Sequence, residues 1–303
     1  MKTSLKTCAT VMLLSMAGLV TAAPDELADS YTKLKDAVAK KDADAVKTAA
    51  AETNKAALAM VNAPKPTDAD EVKGWQERID YGKEVSTYTE YALATTAAQA
   101  GDPAKTIALV DALIAQNPKS KYLDEVCANA YLNALGKSGG SAKQMDGMAK
   151  IVAGRPDNIV ALNALIEGRP ATAAQNGSRL LAAARKPKPE GLPEAEWEKL
   201  KNTALGNGNF WVGYTASQKG SWKDCDTNLK AALPLIANDA GKMGSAYFAL
   251  GICNYQLGKL TNDRPRMQSG QQFMEKAAGL KGPNQNLAYQ QNLAMKQELA
   301  TRR

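Results

Sequence analysis

The chain has 303 residues, with 38 lysines and arginines against 31 acids, a formal charge of +7, four cysteines and no histidine. Without histidine it lacks the usual general acid–base group near neutral pH and the commonest metal ligand. Lysines and acids alternate without long runs of one sign, as on a solvated surface, and no basic cluster interleaved with aromatics marks a nucleic-acid groove. The cysteines show no C-x-x-C spacing, which removes the zinc-ribbon and thioredoxin-like readings. Composition therefore points away from an enzyme, and no metal or cofactor is expected.

Residues 1–22 read as a signal peptide. Lys2 and Lys6 give a basic start, Cys8 to Val20 is apolar or small, and Val20-Thr21-Ala22 supplies a cleavage site after Ala22. The apolar run is shorter than the ~20 residues of a spanning helix, which disfavours a membrane anchor. The mature chain is expected in the periplasm or secreted, with no later membrane span and an odd cysteine among Cys127, Cys225 and Cys253.

Residues 23–66 follow as a helical hairpin acting as an N-terminal cap. Its helices are predicted over 25–40 and 42–61, with Leu27, Tyr31, Leu34 and Val38 at helical spacing, and Ala63-Pro64-Lys65-Pro66 ends it. Asp68 is a candidate cap for a helix to about residue 100, carrying Trp75, Ile79, Tyr88, Tyr91 and Leu93, with Gly82 as a possible kink. Gly101-Asp102-Pro103 starts the next helix, and Asn117-Pro118 ends it. Helices over 122–136 and 142–153 are joined through Gly139-Gly140-Ser141, and a shorter pair covers 159–167 and 171–184.

Residues 186–193 (KPKPEGLP) form a Pro-rich connector, read equally as a hinge or as an inter-repeat loop. Residue 194 starts a helix with a possible interruption at Gly206-Asn207-Gly208, followed by helices over 222–237 and 240–257. An insertion at 261–267 precedes Phe273. A final helix over 284–300 places Leu287, Ala288, Ala294, Met295 and Leu299 on one face. No β-branched alternating run occurs, so the fold class is all-α.

Residues 205–280 carry a repeat. Gly213 and Gly251 stand 38 residues apart, as do Gly220 and Gly258, and so do Pro118 and Pro156. Tyr247-x-x-Leu250-Gly251 and Asn209-x-x-Val212-Gly213 match the first half of the W-x-x-L-G pattern, and Cys225, Leu229 and Ala232 follow at the spacing of its second half. The chain thus resembles the tetratricopeptide repeat family, in an exported bacterial form. The resemblance is closest over 205–280 and degenerate over 67–185. It implies a right-handed α-solenoid of stacked helix-turn-helix units, with repeats over 67–185 and 194–303 and a C-terminal capping helix. Gly213 and Gly251 are expected where helix backbones approach closely.

The same resemblance implies a non-enzymatic scaffold that holds a protein or peptide partner on a concave face lined by first helices. That face projects onto Tyr91, Thr95, Phe210, Tyr214, Phe248, Ile252 and Tyr255; packing between repeats is the competing reading for its aromatics. The family's clamp for chaperone tails needs Lys and Asn at six of these positions and is not implied. On the repeat register Cys225 and Cys253 fall on neighbouring helices, either as a disulfide or as two small buried side chains. Two other classes stay open: a carboxylate-based enzyme, or a subunit of one, acting on envelope glycans, and a self-associating structural protein of the envelope. Catalytic motifs fail on spacing. Carboxylate pairs such as Glu196/Glu198 and Asp224/Asp226 read as solvated, and the Asn176-Gly177-Ser178 sequon as a chance match.

Overall fold

The computed structural model describes residues 26–189 and 192–301, and the predicted leader lies outside them. Among the described residues every regular element is helical, and short polar side chains set many of the starts. α1 (Glu26–Ala39) leads to α2 (Ala43–Val61), α3 (Ala69–Gln99) and α4 (Pro103–Gln116). Asp42, Asp68 and Asp102 cap the last three, each carboxylate accepting backbone N–H groups left orphaned in the first turn. A single π-helical turn, Leu123–Cys127, opens α5 (Ala128–Gly154). After α6 (Ile159–Gly168), capped by Asn158, a 3-10 turn at Pro170–Thr172 enters α7 (Ala173–Ala183). α8 (Glu194–Gln218), α9 (Trp222–Ala232), α10 (Ala240–Thr261), α11 (Arg264–Gly279) and α12 (Gln285–Thr301) complete the chain. Asp239 and Asp263 cap α10 and α11.

Several expected breaks have a different structure. α8 runs unbroken through Gly206-Asn207-Gly208, because Gly208 is where α8 crosses α7: a Cβ there would lie 2.9 Å from the Gly177 carbonyl. Gly82 likewise does not kink α3 but brings it against the Ala57 carbonyl of α2, 3.1 Å from where a Cβ would stand. The expected turn in α5 is real. Gly140 sits at φ +68, which a side chain rarely adopts, so residues on either side form two antiparallel arms. α9 stops at Ala232 rather than 237, since Pro234 lacks the N–H that would continue the ladder. Residues 261–267 are no insertion: Asn262 closes α10 in the left-handed conformation, and Arg264 to Met267 form the first turn of α11. On α12, Leu287 and Ala294 face solvent. Asn292 takes a buried place instead, its carbonyl accepting from Gln271 Nε2 at 2.6 Å.

Each helix packs on the next, and alternate helices also touch: α1 with α3, α3 with the π turn, α6 with α8, α8 with α10, and on the opposite side α2 with α4. The result is a two-layer stack of helical hairpins, whose first helices form one layer and second helices the other. Its apolar cores follow one another along the chain. One spans α1 to α6, another joins α6, α7 and α8, a third lies among α8, α9 and α10, and a fourth among α10, α11 and α12. Such a stack is stabilised by neighbour contacts, because no hairpin covers its own apolar face. Packing is continuous past the Pro-rich connector: Leu180 and Ala183 of α7, with Ala184 just after it, share a core with Trp197 and Ala204 of α8.

Close crossings recur in the C-terminal half. A Cβ at Gly213 would stand 2.9 Å from the Leu229 backbone nitrogen, and one at Gly251 3.1 Å from that of Met274. Both glycines occupy the close approaches expected of them. Cys225 of α9 and Cys253 of α10 are joined in a disulfide with Cα atoms 6.4 Å apart. Next to it, Asp226 is buried rather than solvated; its carboxylate accepts from Asn254 Nδ2 (2.7 Å), Lys230 Nζ (2.8 Å) and Arg266 Nη2 (3.0 Å). Three consecutive helices are thus tied at one carboxylate. Cys127 is a buried free thiol, pushed up to about 12 by desolvation. Asn176 is buried on α7 and donates to Thr172, so the sequon is closed to a glycan in the folded chain. Among the described residues no helix is long and apolar enough to cross a membrane.

Candidate functional site

The seven residues projected onto the first-helix face do not form one line. Phe210 is 4% exposed, its ring stacked on Tyr214 at 5.7 Å and set edge-on to Trp211 at 5.3 Å. Tyr255 is also 4% exposed, in a core with Met267, Met274 and Met295. α11 encloses it by crossing close: a Cβ on Gly270 would lie 2.6 Å from the Tyr255 backbone nitrogen. Both rings belong to the interior. Phe248 and Ile252 are half-buried where α10 meets α12, and Tyr214 is half-buried between repeats. Tyr91, by contrast, is 44% exposed, and Thr95 stands one turn on, its hydroxyl donating to the Tyr91 carbonyl at 2.8 Å.

Tyr91 is one rung of a larger surface. Along α3, Tyr81, Tyr88, Tyr91 and Thr95 follow at steps of seven, three and four residues, which places them on one helical stripe. α1 brings Tyr31 to one side of this stripe and the residue before the π turn brings Tyr122 to the other. Ring centroids run Tyr31–Tyr88 5.2 Å, Tyr88–Tyr91 6.2 Å and Tyr91–Tyr122 5.6 Å, with interplanar angles of 84°, 45° and 63°. At one end the Lys35 ammonium lies 4.5 Å from the centre of the Tyr31 ring; at the other Lys121 lies 5.3 Å from that of Tyr122. A hollow of 160 Å³ adjoins Tyr91, lined by Val38, Lys41, Thr95 and Gln99. Burial raises the phenol of Tyr31, with a further contribution from Glu84; it also raises that of Tyr88, helped by Tyr31 and Tyr91. These phenols therefore stay protonated near neutral pH and offer O–H groups. Helical spacing is the signal that could have found the stripe on α3, of which only Tyr91 and Thr95 were expected at the site. Tyr31 and Tyr122 are joined to it only by the stacking of three first helices.

Two polar arrangements lie further along. Lys242 of α10 donates to Glu167 of α6 (2.7 Å) and Asn207 of α8 (2.9 Å), and Asn207 donates to Asn163 of α6 (3.1 Å). This chain crosses three first helices beside an open hollow of 270 Å³. A second cleft, of 350 Å³, lies under the Pro-rich connector, with Trp197, Leu192 and Leu200 on its walls. Two carboxylates line it. Asp124 accepts from Arg155 Nε (2.6 Å) and Asn158 Nδ2 (2.6 Å), while Asp157 accepts from Lys186. Each is held by a cation, an arrangement that ties α5, α6 and the connector together. Among the described residues no group of three or more His, Cys, Asp or Glu is placed to hold a metal ion.

The aromatic ladder is the arrangement with chemistry to offer a partner: exposed ring edges, hydroxyls and terminal cations on a rigid layer. Comparison of the chain with protein-family models, with curated proteins and with solved structures finds no match. What the fold supports is an all-helical stack of repeat-like hairpins bearing one extended tyrosine surface.

Proposed function

We propose that this chain is a non-enzymatic scaffold of the cell envelope, exported by its leader, that holds a protein or peptide partner along its first helices. The observation that carries the reading is the ladder Tyr31–Tyr88–Tyr91–Tyr122, built from three stacked helices and open to solvent at Tyr91. Tyrosines present large apolar area with a polar tip at small entropic cost, which suits them to interfaces. In this reading the hairpins are tetratricopeptide-like and wind right-handed, with the ladder on the concave side. Crosslinking and capture from the native envelope, with wild type and Tyr91→Ala compared, is the test. The reading predicts a partner whose yield falls at least tenfold in the variant while the melting temperature holds. Equal capture by both proteins would move binding off the ladder.

A second reading is favoured by one feature. Leu260 is 73% exposed at the end of α10, and Leu287, Tyr289 and Leu293 are exposed on α12, so the C-terminal end is more apolar than a solvent-facing cap needs. Self-association through that end would give a sedimentation coefficient that rises with concentration.

A further inference from the structure

We infer that the tyrosine ladder takes an extended acidic peptide carrying prolines; this rests on the scaffold reading and names the chemistry of its partner. Ring geometry comes first. Neighbouring rings are inclined at 84°, 45° and 63°, so two pairs meet edge to face and the middle one is tilted, leaving notches rather than one flat platform. Sugar rings and nucleobases bind aromatics by lying flat on open faces, and inclined rings offer them little. Narrow, rigid prolines in polyproline II geometry fit between aromatic side chains and arrive with little conformational entropy to lose.

Length agrees. Followed from ring centre to ring centre the ladder runs about 17 Å, so five or six residues at the ~3.1 Å rise of polyproline II are enough to cover it. Such a segment crosses the helices, touching α1, α3 and the π turn in succession.

Charge selects the sequence of the segment. Lys35 and Lys121 sit over the two terminal rings, and Lys41 lines the hollow beside Tyr91. Glu84, beside Tyr31, is the acid that opposes them there. The surface therefore favours carboxylates at both ends of the bound segment. It disfavours the two segments of this chain with closely spaced prolines, 63–66 and 186–193, where Lys65, Lys186 and Lys188 would meet like charge.

The test uses the mature full-length protein and fluorescein-labelled nonapeptides of alternating Glu and Pro, Ser and Pro, or Lys and Pro, read by fluorescence anisotropy. The Glu-Pro peptide should bind at least tenfold more tightly than Ser-Pro, and Lys-Pro should not bind. Tyr91→Ala should weaken Glu-Pro binding at least tenfold with an unchanged circular-dichroism melt. A Lys35→Glu/Lys121→Glu double variant should lose Glu-Pro and gain Lys-Pro. Equal affinity for Ser-Pro and Glu-Pro would overturn the charge selection. Binding of Glu-Pro that Tyr91→Ala leaves intact would remove it from the ladder. A uronic-acid oligosaccharide or oligo-dT binding where Glu-Pro does not would replace the peptide with a glycan or nucleic acid. If envelope capture depends on Tyr91 while none of the peptides binds, this inference fails and the scaffold reading stands.

Discussion

The fit between α10 and α11 makes a test in which one substitution type changes sign within a single helix. At Gly270 a Cβ would lie 2.6 Å from the Tyr255 backbone nitrogen, 2.8 Å from the Gly251 carbonyl oxygen and 3.0 Å from the Tyr255 Cα. All three are main-chain atoms, so no rotamer change relieves the contact, and the helices must move apart by up to ~1 Å to reach ordinary van der Waals separation. Opening this interface loosens Leu250, Met267, Met274 and Ala277 together. Overpacking of this kind costs about 1–3 kcal/mol, and the better helix propensity of alanine returns about 1 kcal/mol. Because all three contacts are with main-chain atoms the cost lies in the upper part of that range, about 2–3 kcal/mol, and Gly270→Ala should destabilise by about 1–2 kcal/mol net. Gly279, the last residue of the same helix, has nothing within 4 Å of its Cβ position. There alanine should gain up to ~0.5 kcal/mol, reduced from the full propensity difference by its terminal place. Urea unfolding followed by circular dichroism, with the m-value unchanged, reads both. If Gly270→Ala is as stable as wild type, α10 and α11 do not cross as described.

Reducing Cys225–Cys253 opens a loop whose ends are 28 residues apart, which on chain-entropy grounds costs about 3.5 kcal/mol; unfolding with and without reductant should show the loss, and a Cys225→Ala/Cys253→Ala variant should be indifferent to reductant. Asp226→Ala strands Asn254 and Arg266 at a buried site and should cost about 2–4 kcal/mol, whereas Asp146→Ala breaks only an exposed pair with Arg169 and should stay within ~0.5 kcal/mol by the same measurement. Cys127, Tyr131, Tyr31 and Tyr88 are all raised by burial. Their neutral forms are favoured by folding, so the stabilisation is complete below the unfolded values of about 9 for thiol and 10 for phenol. It is lost as pH rises toward the folded values, at up to ~1.4 kcal/mol per pH unit for each group fully buried. Melting temperature should be flat from pH 7 to 9 and fall steeply beyond, with a shallower fall in Cys127→Ala; a flat profile to pH 11 would show these groups to be wet.

Much of the helical plan was legible because its signals are local. Aspartate caps at 42, 68, 102, 239 and 263 act on the next two or three residues, and prolines act on the turn they interrupt. Where sequence reasoning missed, a distant partner decided. Gly206 and Gly208 look like a break until α7 is laid across Gly208, where the Gly177 carbonyl takes the space of a side chain, and Leu235 and Ile236 are laid against Gly206. Residues 261–267 resemble an insertion until Asn262 turns the chain within one residue. The burial of Phe210 and Tyr255 follows the same rule. A first helix in a stack is covered by its hairpin partner and by the first helices before and after it, so its apolar stripe alone does not say which aromatic stays outside.

Tyr91 stays outside because of where its helix stands in the stack. α3 meets the second helices α2 and α4 on one side, leaving the opposite stripe to Tyr31 and Tyr122 from adjacent first helices. Further along, the corresponding surface is spanned by Lys242, Asn207 and Glu167, which join α6, α8 and α10 by hydrogen bonds. The C-terminal units add the disulfide, the Asp226 hub and the glycine crossings. Stability in a stack of this kind is a sum of local units and their neighbour contacts. The chain thus carries close helix crossings in its C-terminal units and an exposed aromatic face ahead of the π turn. Truncating Tyr91 should for this reason be felt by a partner at the ladder far more than by the fold, while Gly270→Ala should be felt by the fold and leave the ladder as it was.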